Sequence, residues 1–129
     1  MSHNFYKLDD YVETEVRPGL YGAVLVGEGS TAVRWVFAPD MPQTGIHHHD
    51  DHEQFGVVVD GHIELEIDGV VSRLGPGESY HVPKGVRHGR TIVIGDEPAV
   101  VLDFFTPRRE EYVRALNGGP AFDPVASSA

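Results

Sequence analysis

Residues 45–61 read GIHHHDDHEQFGVVVDG: three consecutive histidines, His47, His48 and His49, a fourth at His52, a Glu53-Gln54 pair, the apolar run 55–59, and the turn Asp60-Gly61. On an extended segment successive side chains alternate faces, so His47 and His49 point the same way and can converge inside a curved sheet. Neutral imidazole is the commonest protein metal ligand. The stretch is therefore half of an expected metal site, and the rest of the chain is expected to supply the other half. His48 falls on the opposite face, and a one-residue slip of the strand would bring it in instead. His52 belongs to the turn or the outer face. The isolated histidines His3, His62 and His81 read as surface or hydrogen-bonded residues.

Outward from this stretch the chain is a series of short strands. LYGAVLVG and TAVRWVFA are rich in β-branched and aromatic residues and are separated by Glu28-Gly29-Ser30. Pro39 and Pro42 make the next stretch a loop. HIELEID at 62–68 alternates, with Ile63, Leu65 and Ile67 on one face and Glu64, Glu66 and Asp68 on the other. That is the pattern of a half-buried antiparallel strand. Asp68-Gly69 is a hairpin turn signal. VVSRL, ESYHVP, GRTIVIG and AVVLDFF add four more strands, punctuated by Gly75-Pro76-Gly77, Pro83-Lys84-Gly85 and residues 95–98. Eight or more short strands at regular spacing predict an all-β sandwich or small barrel. The helical pattern is confined to 108–117, RREEYVRALN. Residues 1–18 read as an extended arm or first strand, 20–106 as the core, and 118–129 as a flexible tail. All 129 residues are expected to form one domain.

Composition narrows the function classes. The formal net charge of −10 disfavours nucleic acid and anionic membrane as partners. An anionic substrate must then be held by local cations or a metal. No apolar run approaches the roughly 20 residues of a membrane helix. The opening residues lack a basic-then-apolar signal pattern, which fits a cytoplasmic protein. With no cysteines, disulfides and thiolate metal sites are excluded.

The second informative stretch is 77–88, GESYHVPKGVRH, or G-x5-P-x-G-x2-H. Together with 45–61 it resembles the two signature motifs of the cupin superfamily, small jelly-roll (double-stranded β-helix) barrels with a metal in the barrel mouth. The Asn that often follows the second motif is absent; Ile92 stands there. The resemblance implies a first shell of His47, His49 and His88 plus one residue from the Glu53-Gln54 pair. Glu53 has the family's spacing from His49, and Gln54 has the family's spacing from Gly61. A turn intervenes on the histidine side, so counting back from Gly61 is preferred: Gln54 is the expected ligand and Glu53 faces outward. Four neutral ligands leave a divalent ion its full charge, suited to Lewis-acid work. Nickel, zinc, iron and manganese are all compatible with such donors.

A third constellation is VLDFFTPRRE at 101–110. Asp103 and Phe105 share one face of the last strand, and Arg109 follows Pro107, placed to reach over a barrel mouth. A carboxyl to move a proton, an aromatic wall and a guanidinium to grip a carboxylate suit a small anionic substrate. H-x-H-x4-Q, a His 34 residues after the Gln, and D-x-F-x-P-x-R together resemble the pectin-degradation cupins of the KdgF type. That resemblance makes Asp103, Phe105 and Arg109 catalytic candidates. It implies ring opening of 4,5-unsaturated monouronates, with a sugar acid as small-molecule partner, and its small-cupin relatives imply a homodimer. The competing classes are a non-haem metal dioxygenase, a small cupin lyase, and a sugar-acid binding module without turnover.

Overall fold

In the computed structural model residues 5–7 and 13–112 are described. Among the described residues ten strands carry the fold: β1 (Thr14–Arg17), β2 (Leu20–Val26), β3 (Thr31–Phe37), β4 (Ile46–His47), β5 (Glu53–Asp60), β6 (Ile63–Ile67), β7 (Val70–Leu74), β8 (Ser79–Val82), β9 (His88–Val93) and β10 (Ala99–Thr106). They form two antiparallel sheets. One has six strands in the order β1-β2-β3-β10-β5-β8, the other four in the order β4-β9-β6-β7. This is the expected all-β jelly roll.

The two inner faces make the core. In β3 the inward positions are Thr31, Val33, Trp35 and Phe37, strictly alternating with outward ones. β10 matches it, with Ala99, Val101, Asp103 and Phe105 buried. Val24, Val33, Val58, Ile63, Val101 and Phe105 are almost wholly withdrawn from water. At about 1.5–3 kcal/mol for each such side chain, they dominate the drive to close the sandwich. The polar residues buried among them, Gln54, His88, Thr91, Asp103 and Arg109, gather toward one end. A fold does not bury such groups for stability, because each must recover its lost hydration.

Local sequence sets the turns. The β6–β7 hairpin turns at Asp68 (φ 51°) and Gly69 (φ 80°). Two successive left-handed residues make the turn whose twist matches the flanking strands. The 108–117 helix is described only at its start: residues 110–112 are helical, and the remainder lies outside the described residues, as do the tail 118–129 and His3. The arm at 1–18 is described only in part, and its end forms edge strand β1.

One expectation about register needs amendment. The count from Gly61 back to Gln54 assumed a continuous strand. Pairing of β5 with β10 instead slips between Val100↔Asp60 and Val101↔Val58, leaving Val59 as the extra residue. Val59 and Asp60 are consequently both exposed. Gln54 faces inward because it lies beyond the slip, in the stretch 53–58 where alternation is intact.

Candidate metal centre and adjoining acid

His47 and His88 are cross-strand partners at the β4–β9 pair. His49 follows two residues on. One ring nitrogen from each of the three lies within 4.8 Å of the others. The rings are 4.3 Å apart for His47–His88, 5.0 Å for His47–His49 and 5.1 Å for His49–His88. His88 Nδ1 donates to the Val86 carbonyl at 2.9 Å. That bond fixes the tautomer, so Nε2 carries the lone pair. His88 Nε2 is buried and has no hydrogen-bond partner, and the same is true of Gln54 Oε1. Buried acceptors left unpaired are rare and costly. Two of them beside a histidine cluster are what a divalent cation would satisfy.

Protonation state agrees. Burial pushes His47 down to about 4 and His49 down to about 3, with the neighbouring imidazoles and the Arg109 charge adding to the effect. Burial lowers His88 as well. All three offer lone pairs at neutral pH, as metal ligation requires.

The other histidines lie apart from this convergence. His48 is exposed, with Nδ1 3.0 Å from Asp50. His81 bonds Glu53 at 2.7 Å on the outer face and stacks on Phe55. Glu53 is thus directed away from the cluster. His62 is exposed. His52 lies in the 50–52 turn, as expected, but is half-buried there, with its ring 6.1 Å from that of His49.

The cluster opens into a cavity of ≈ 580 Å³ whose lining includes Arg17, Trp35, Gln54, Tyr80, Asp103 and Arg109. Asp103 is buried, and burial raises its pKa to about 6, against hydrogen bonds from Tyr80, Gln54 and Trp35 and the Arg109 charge. Tyr80 Oη donates to Asp103 Oδ1 at 2.6 Å. Phe105, expected as an aromatic wall, is instead a core residue that does not line the cavity: it backs the site from behind, edge-on to His49 at 6.2 Å and to Tyr112 at 5.2 Å.

Arg109 is more committed than its place in the sequence suggested. Its backbone N–H donates to Thr31 Oγ1 at 2.6 Å, which ties the segment after β10 to the sheet. Its guanidinium lies over Tyr112 at 3.8 Å. Nε donates to Glu111 at 2.7 Å, and Nη1 faces His49 Nε2 at 3.3 Å. The last contact uses a lone pair that a cation would compete for, and its loss would release Nη1 into the cavity.

Sequence reasoning missed Tyr80, Glu111, Tyr112 and Arg17 as site-lining residues. Tyr80 sits inside the second motif, but nothing in its own stretch marks it. Its role depends on a carboxyl 23 residues away.

Residues 33–105 match the family described as Cupin domain. A curated relative, "Pectin degradation protein KdgF" of Dickeya dadantii (strain 3937), is 34% identical over 67 residues. That match covers 52% of this chain and 59% of the relative, so it spans under two thirds of the relative's length. Among solved structures, KdgF from Halomonas sp. superposes with a TM-score of 0.77 at 29% identity, covering 85% of this chain and 98% of that one. A RmlC-like cupin from Shewanella frigidimarina gives 0.76 at 28%, covering 87% and 97%.

Proposed function

The chain belongs to the cupin domain family, and from that premise we propose that it is a metal-dependent enzyme opening the ring of 4,5-unsaturated monouronates from pectin or alginate. The product is a 4-deoxy-5-keto uronate. The observation that carries this reading is a buried carboxyl, Asp103, in the wall of the cavity that also holds three converging imidazoles and a buried guanidinium. The similarity to a relative named for pectin degradation, and to a solved KdgF structure, supports the substrate class.

His47, His49, His88 and Gln54 Oε1 would hold the cation. When bound it supplies Lewis acidity, polarising carboxylate and enolate oxygens of the substrate. Nickel, zinc, iron and manganese all fit this donor set.

The chain's own residues account for the rest. An unsaturated uronate is a cyclic enol ether with a hemiacetal at C1. Transfer of the C1 hydroxyl proton to solvent water breaks the bond between C1 and the ring oxygen, gives the aldehyde, and leaves an enolate on C5. Protonation at C4 completes the isomerisation without redox change. Asp103 is the donor to C4. Its pKa of about 6 keeps an appreciable protonated fraction near neutrality, as a general acid needs. Arg109, held over Tyr112 with Nη1 toward the cavity, orients the substrate carboxylate. Trp35 gives the cavity an apolar wall against the ring and limits water around the enolate, while Phe105 supports His49 and Tyr112 from the core.

The test is spectrophotometric. Metal-loaded protein is mixed with unsaturated galacturonate, and loss of the conjugated ultraviolet absorbance is compared with the spontaneous rate. Acceleration that Asp103→Ala abolishes, with metal content retained, is the expected result. No acceleration by protein confirmed to hold metal refutes the reading.

A further inference from the structure

Three strands meet at one point of the inward face. Gly56 of β5 stands opposite Asp103 of β10 on one side and opposite Tyr80 of β8 on the other. A Cβ at Gly56 would run into the Tyr80 ring and the Asp103 carboxylate. Tyr80 uses the vacant space: its hydroxyl crosses above the glycine and donates to Asp103 Oδ1 at 2.6 Å.

Gln54 stands two residues earlier on the same face of β5, and is itself buried. Its side chain hydrogen-bonds both Tyr80 and Asp103. Oε1 has no hydrogen-bond partner, so both bonds are made by the amide NH2. The amide NH2 is therefore turned toward this pair. Oε1, at the other end of the same planar group, is buried without a partner. His88 Nε2, also buried and unpartnered, belongs to the neighbouring imidazole cluster. An amide has one donor end and one acceptor end, so fixing the first aims the second.

We propose that Tyr80 and Asp103, joined across Gly56, fix the polarity of the Gln54 amide, turning its NH2 to themselves and its Oε1 toward a cation held by the three imidazoles. Tyr80 is thus a positioning residue for the metal centre. The same arrangement explains why position 54 takes an amide. A glutamate there would set a second buried carboxylate against Asp103 with no donor between them, and two such groups cannot both ionise cheaply. The Oε1 half of the proposal rests on the metal reading above; the amide-polarity half does not.

The experiment has two arms. In the first, wild type, Gln54→Glu, Asp103→Asn and the double variant are unfolded by denaturant, metal-free, at pH 8. Gln54→Glu is expected to unfold earlier than wild type. Adding Asp103→Asn is expected to restore it, since an Asn NH2 can donate to the carboxylate introduced at position 54, whereas Asp103→Asn alone opposes two NH2 groups. Additive effects of the two substitutions overturn the amide-polarity half. In the second arm, nickel affinity is measured by competition titration for wild type and Tyr80→Phe, with circular dichroism as the check on folding. A loss of about 10- to 100-fold is expected, the usual scale when a group orienting a ligand is removed. Unchanged nickel affinity overturns the positioning role. A wild type that binds neither nickel nor zinc overturns the metal reading, while the unfolding cycle still reads the amide polarity.

Discussion

Asp103 should make the metal-free protein less stable as pH rises, opposite to the usual effect of a native carboxylate. Burial lifts its pKa from 3.8 to about 6. Between those values the folded protein keeps a proton that the unfolded chain has lost, so raising the pH through this window removes stability. That displacement corresponds to about 3 kcal/mol once both states are ionised, near pH 8. At pH 5, where the folded acid is still largely protonated, about half of that is already felt. Asp103→Asn has no such titration. The stability of Asp103→Asn relative to wild type should therefore increase by about 1–2 kcal/mol between pH 5 and pH 8. The slope is the readout, because any fixed cost of the new NH2 against Gln54 enters equally at both pH values. Titration of the histidines is common to both proteins and cancels in the difference. The assay is urea unfolding of both proteins, metal-free, at pH 5, 6, 7 and 8. A gap that is flat with pH, or that moves the other way, refutes a buried, proton-retaining Asp103.

Further outcomes follow from the same geometry. Gly56→Ala should cost about 1–3 kcal/mol by overpacking against Tyr80 and Asp103, read as a fall in melting temperature; an unchanged melting temperature would mean the close approach is wrong. His88→Ala should abolish stoichiometric metal while leaving the sheet signature in circular dichroism, checked by elemental analysis after gel filtration. Nickel at 100 times its dissociation constant should stabilise wild type by about 2.7 kcal/mol and His88→Ala not at all. Because burial lowers His47 to about 4, His49 to about 3 and His88 below its ordinary value, metal affinity should weaken less between pH 7 and pH 5 than three imidazoles titrating at 6.5 would require, which titration calorimetry across that range would reveal.

Many of the strand positions along the chain are legible in its sequence. Alternation in 31–37 and 62–68, the Asp68-Gly69 turn and the Gly/Pro breaks place the strands close to where they lie. Short-range periodicity reports which face of a strand a residue occupies, and that suffices to select His47 and His49 over His48. It fails where periodicity is interrupted. The extra residue at Val59 breaks the count from Gly61, and periodicity says nothing of how deeply the turn residue His52 is buried beside His49. Arg109 shows a different limit: its proximity to the cavity was foreseeable, its commitments to Thr31, Glu111 and Tyr112 were not.

By itself, then, the sequence determined an all-β chain with histidines on one face of one strand and an acid and an aromatic on one face of another. These are properties of segments a few residues long, fixed by the two-residue period of extended backbone. Tertiary structure decided which strands became neighbours and in what register, and so everything that depends on cross-strand pairs. Only with β8, β5 and β10 side by side does Gly56 become the gap through which Tyr80 reaches Asp103. Only then does the Gln54 amide acquire a direction, and the difference between Gln54 and Glu53 become a matter of which partner each side chain meets.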